Sequence, residues 1–92
     1  MENKTYIFYE DPGHGWVAVP MDDLIALGVA DKITSYSYLL GNMAFLEEDC
    51  DLPTFVRAYK KKFGKAPKGK TVYQEYTSIR SYPNYDYEKE VA

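Results

Sequence analysis

The sequence is short of the residues on which much protein chemistry depends. It has one cysteine, Cys50, so no disulfide can close within the chain, and a disulfide-stapled secreted scaffold is excluded. It has one histidine, His14, and one His beside one Cys is a poor start for a zinc site. No apolar run approaches membrane-spanning length. The N-terminus, MENKTYIFYEDPG, lacks the basic start and apolar stretch of a signal peptide. These absences lead us to expect a cytoplasmic protein with no membrane partner, metal or cofactor. Positive charge is also scarce at first: up to Val56 only Lys4 and Lys32 are basic, against ten Asp and Glu. From Arg57 the balance reverses, with Lys60, Lys61, Lys62, Lys65, Lys68 and Lys70 close together. The net charge of −3 therefore conceals an acidic first part and a basic second part, and such a split suits charged partners.

What is present makes one domain. Ninety-two residues allow only a modest core, but 46% hydrophobic and 16% aromatic residues are too many for a disordered chain. Ten of the aromatics are tyrosines, whose rings can lie half-buried in strands or line a contact surface.

Read in order, TYIFYE (Thr5 to Glu10) has the β-branched and aromatic content of a strand, and Asp11-Pro12-Gly13-His14-Gly15 is a turn. Trp16 to Val19 returns as a second strand. Pro20 opens a short helix that Gly28 ends. Ser35 to Leu40 and Met43 to Leu46 form a hairpin about Gly41-Asn42, with Gly first as a type II′ turn needs. Asp51 is placed to cap a helix to Phe63, in which Leu52, Phe55, Val56, Tyr59 and Phe63 fall on one face. Gly64 stops that helix, Lys65 to Lys70 reads as a basic loop, and Thr71 to Thr77 as a fifth strand. The expected fold is α+β, β-β-α-β-β-α-β, one antiparallel sheet with two helices on one face. The expected domain spans residues 1–82, with 83–92 a flexible tail whose tyrosines can dock.

Three groups of residues invite chemistry. Asp11, His14 and Cys50 are a carboxylate, an imidazole and a thiol, but no nucleophile motif surrounds them. The acids beside Cys50 would raise its pKa, the wrong direction for a thiolate. The simpler reading is a turn histidine and a small buried hydrophobe. Glu47, Glu48, Asp49 and Asp51 lack the spacing and glycine of a calcium loop. One of them suffices as a helix cap, and the surplus forms an acidic patch that suits a basic partner or mimics nucleic-acid phosphates. The lysines from Lys60 to Lys70, with Tyr59 and Phe63 among them, resemble a single-stranded nucleic-acid surface, although core packing also explains both rings.

The strings DPGHGWVAVP, LGVADKITSYSY, FLEEDCD and IRSYPNY resemble small proteins of tailed phages, prophages and other mobile elements, across about Tyr6 to Tyr85. That group has no assigned activity, so the resemblance supplies no catalytic residues. It implies a mobile-element context, in which compact acidic proteins often inhibit host defence enzymes stoichiometrically. The expectation is a non-enzymatic protein that binds a host protein, such as a CRISPR or restriction enzyme. Glu47, Glu48, Asp49 and Asp51 would form its contact surface, and Asp11, His14 and Trp16 a second region. The alternative is a nucleic-acid-binding accessory protein using Lys60, Lys61, Lys62, Lys65, Lys68 and Lys70.

Overall fold

Alternation of side chains along each strand decides what this chain buries. In β1 (Thr5–Glu10) and β2 (Gly15–Pro20), antiparallel pairing sets Phe8 opposite Val17. In β4 (Met43–Glu47), Leu46 lies opposite Val17 and Ala44 opposite Val19. Tyr6, Val17, Val19, Ala44 and Leu46 therefore share one face of the sheet, and all are buried. The structure, a computed structural model, describes residues 1–87.

Two helices close that face. α1 (Met21–Ala26) contributes Met21 and Leu24, and α2 (Leu52–Phe63) contributes Phe55 and Tyr59, to one continuous core. The Tyr6 ring meets Phe55 edge-on at 5.0 Å and Tyr59 at 6.1 Å. The Tyr6 hydroxyl donates to Asp23 at 2.8 Å, as Lys4 does at the same distance, so β1 is tied to α1 through one carboxylate. The Tyr59 hydroxyl donates to the Glu2 carbonyl at 2.6 Å and pins the N-terminus. Gly64 ends α2 at φ +73°, a left-handed position that glycine adopts without cost, and its N–H closes on the Lys60 carbonyl at 2.7 Å.

The class is α+β as expected, but three expectations about the sheet need correction. The sheet is mixed, with spatial order β3-β4-β2-β1-β5, because β5 (Lys68–Tyr73) pairs with β1 in parallel. The cause is α2: a helix returns the chain to the end of the sheet where the previous strand began, so the next strand runs the same way as β4. β4 and β1 both run antiparallel to β2, which makes β5 parallel to β1. Secondly, β5 starts at Lys68 and ends at Tyr73, so Lys68 and Lys70 belong to a strand and the chain bends after Gln74. Thirdly, β3 is only Tyr38–Leu40, and two 3₁₀ turns, Ala30–Lys32 and Ile79–Ser81, stand in the expected order.

The part of the second face over Trp16 and Phe45 is covered by the chain's own end. Tyr82 lies 5.2 Å from Phe45, and Phe45 lies 6.3 Å from Tyr9. Ile79 is buried in the same segment. Beyond it the chain lies along β3. The Leu39 N–H donates to the Pro83 carbonyl at 2.8 Å, Asn84 bridges to Tyr38, and the Tyr85 N–H donates to the Ser37 carbonyl at 2.8 Å. Tyr85 is buried in the main core and its hydroxyl donates to the Ala30 carbonyl. The tail expected from Pro83 is thus docked as far as Tyr87, and Glu88 to Ala92 lie outside the described residues.

Candidate functional site

One end of the sheet gathers residues that are far apart in sequence. The β1–β2 turn, the end of β4 and the segment after β5 meet there. Antiparallel pairing sets Trp16 opposite Glu47, and the Glu48 N–H donates to the Gly15 carbonyl at 3.1 Å. The two contact regions expected from sequence, around Asp11 to Trp16 and around Glu47 to Asp51, are therefore neighbours in one surface. A hollow of about 300 Å³ is lined by His14, Trp16, Tyr36, Tyr38, Glu47, Asp49, Cys50 and Arg80. Two further hollows border the same turn. One of about 460 Å³ runs along Pro12, Gly13, Tyr76 and Thr77, and one of about 340 Å³ lies between Glu10, His14, Glu48 and Tyr73.

Asp11 organises this end and is buried, so it has little surface to offer a partner. Its carboxylate accepts both guanidinium arms of Arg80, at 2.6 and 3.0 Å. It also accepts the Gly13 and His14 N–H groups, both at 2.9 Å. The Arg80 hydrogen bonds, with those backbone donors, outweigh burial and hold the Asp11 carboxyl at about 2. The same guanidinium lies over the Trp16 ring, 5.0 Å from its centre. Trp16 is 2% exposed, so it belongs to the floor of the hollow rather than to a contact rim. Arg80 is the residue that sequence reading missed. Its signal was weak, one arginine in a stretch that reads as strand end.

Asp51 is the largest departure from expectation. It stands at the N-cap position of α2, yet its side chain caps nothing. It accepts instead from the Thr34 N–H at 3.0 Å, the Thr34 hydroxyl at 2.8 Å and the Ser37 hydroxyl. Ser37 in turn accepts the Glu47 N–H at 2.9 Å. Asp51 and Ser37 are both fully buried, so Asp51 fastens the 34–37 loop and contributes nothing to an acidic surface.

The remaining acids form that surface. The Glu47 carboxylate accepts the Asp49 and Cys50 N–H groups, at 3.1 and 2.9 Å. Burial alone would raise its pKa, but these donors and the thiol prevail and lower it. Glu48 is half-buried, while Asp49, His14 and Tyr36 are exposed. Cys50 is exposed rather than the buried hydrophobe expected, because the 48–51 turn projects from the sheet. Its thiol is hydrogen-bonded to Glu47, which with slight burial and the charges of Glu47, Asp51 and Asp49 pushes its pKa up. His14 and Cys50 thus line one hollow while the thiol faces a carboxylate, an arrangement that suppresses the thiolate. Among the described residues no group of three or more His, Cys, Asp or Glu is arranged to hold a metal ion.

The lysines lie elsewhere. Lys60, Lys61, Lys62, Lys65, Lys68 and Lys70 are all exposed, around the end of α2 and along β5. Of the rings among them, Tyr59 is not available for base stacking and Phe63 is half-buried. Tyr59 is fully buried, and Phe63 packs on it at 4.7 Å. Among the described residues no helix is long and apolar enough to cross a membrane.

No family model, curated protein or solved structure matches the chain.

Proposed function

We propose that this protein acts without catalysis, by stoichiometric binding of a host protein through the acidic end of its sheet. The observation that carries this reading is the convergence of Glu47 and Asp49 with His14 and the exposed Tyr36 around one hollow, with Glu48 in the adjoining hollow on the other side of His14. Carboxylates beside half-exposed tyrosines suit a basic protein surface, since the acids steer approach and the rings supply contact area. The thiol held off the thiolate supports a non-enzymatic role. The mobile-element resemblance makes a nucleic-acid-handling defence enzyme, of the CRISPR or restriction kind, the first partner to test.

The experiment is capture from a host lysate with the wild-type chain and with Glu48→Lys/Asp49→Lys, which leaves the structural residues Asp11, Asp51 and Glu47 intact. The expected outcome is one partner retained in near-equal amount by the wild type and lost by the variant, with unchanged circular dichroism. Equal capture by both chains would place the contact surface elsewhere. The nucleic-acid alternative is supported by the exposure of all six lysines. It predicts a salt-sensitive gel shift with single-stranded or duplex nucleic acid, and no retention at low salt removes it.

A further inference from the structure

The two edges of the sheet are treated differently by the chain. The β3 edge is occupied, since Pro83 to Tyr85 bonds to Ser37 and Leu39 and bridges to Tyr38. Among the described residues the β5 edge pairs on one side only, with β1, through the register Thr5 to Lys68 up to Glu10 to Tyr73. The Gln74 N–H continues that ladder by donating to the Glu10 carbonyl at 2.8 Å. Backbone groups alternate in direction along a strand, so Gln74, Val72 and Lys70 point their N–H and C=O toward β1. Gly69, Thr71 and Tyr73 then point theirs outward, and all three residues are exposed. No proline interrupts the strand, since Pro67 precedes it. Such a row of outward donors and acceptors is a template for a further strand.

We propose that the β5 edge receives an extended acidic segment of a partner protein, added to the sheet as a further strand. The chemistry of the edge selects that occupant. Lys68 and Lys70 project from the same face of the sheet, and Lys65 lies just before the strand. An added strand whose acids alternate, acid-x-acid, sets each carboxylate beside a lysine, the favourable cross-strand arrangement. A second copy of this chain is a worse fit. Antiparallel pairing of two β5 strands about Thr71 brings Lys70 of one copy diagonally against Lys70 of the other on one face. Nucleic acid satisfies the lysines but has no backbone amides for the row at Gly69, Thr71 and Tyr73. The Tyr73 end of this edge borders the hollow shared with Glu10, His14 and Glu48, whereas Lys68 and Lys70 lie toward the other end of the strand. The acidic segment is therefore received at the lysine end, and the proposal does not depend on the acidic surface.

The test uses the full chain and a synthetic peptide, acetyl-Glu-Val-Glu-Val-Glu-Thr-amide. Its controls are a peptide of the same composition with the acids in one block, and an oligothymidylate. The alternating peptide is expected to shift the amide resonances of Gly69, Thr71 and Tyr73. Its affinity is expected to fall at least tenfold with Lys68→Glu/Lys70→Glu and with Thr71→Pro. The proline removes an outward N–H while leaving the lysines and the bonds to β1 in place, and the amide spectrum of the β1 residues verifies that the ladder survives. Loss with both variants supports strand addition by an acidic segment. Thr71→Pro binding as well as the wild type overturns it, as does equal affinity for the blocked peptide. Absence of peptide binding at millimolar concentration, or retention of the oligothymidylate alone, also overturns it.

Discussion

At the scale of single residues, Asp11 shows how one carboxylate can organise a surface. Five donors surround it, two from Arg80 and one each from Gly13, His14 and Thr77, and its carboxyl is held at about 2 against an ordinary 3.8. The sign of the linkage follows. The unfolded chain takes up this proton more readily than the folded one, so the stabilisation is present above the unfolded pKa of 3.8 and is lost as pH falls toward about 2. Trp16, the only tryptophan, reports on the site because Arg80 covers its ring. Acid titration followed by Trp16 fluorescence should show a step in the wild type centred near pH 2. The step should vanish in Asp11→Asn, whose side chain does not titrate. Identical curves for the two chains would mean that the Asp11–Arg80 pair does not hold this end together.

At the scale of elements, the start of α2 separates position from role. Asp51 occupies the N-cap site, where an acid is favoured, but its oxygens bond to Thr34 and Ser37. Removing them leaves a backbone N–H and two hydroxyls without their acceptor, so Asp51→Ala should cost about 2–4 kcal/mol in urea denaturation. A lost cap would cost about 1 kcal/mol. Asp51→Ser decides between the two, because serine caps well but is too short to reach the 34–37 loop. If Asp51 fastens the loop, the serine variant is as unstable as the alanine one. Recovery to near wild-type stability would restore the capping role. α2 also sets the direction of β5. The parallel pairing was available from the chain itself, since a helix between two strands of one sheet implies a crossover, and only the assumption of an all-antiparallel sheet hid it.

At the scale of the whole molecule, cover over part of the second face and closure of the β3 edge depend on the last described residues. Tyr85 is buried in the main core and bonds to Ala30 and Ser37, 55 and 48 positions earlier. Tyr85→Ala should therefore cost about 3 kcal/mol, as truncation of a buried ring does, read as a fall in the melting midpoint. A flexible tail would give a change within about 0.5 kcal/mol. The effect should include faster exchange of the Leu39 amide, which bonds to the neighbouring Pro83 carbonyl.

By itself the sequence determined what depends on near neighbours. The β-branched and aromatic content of TYIFYE, the Gly41-Asn42 turn, the apolar spacing from Leu52 to Phe63 and the stop at Gly64 each act within a few residues. The split between acidic and basic parts was equally plain, because charge is read from composition. Only the tertiary structure decided which polar residues are spent on holding the fold. Asp11 is paired with an arginine 69 positions away, Asp51 is buried against a loop 14 to 17 positions earlier, and Trp16 lies beneath that arginine. The same holds for the edges: among the described residues one is covered by the chain's end and the other pairs with β1 alone. The physical reason is range. A side chain's propensity acts over a few residues, whereas its burial is set by the elements that topology brings against it.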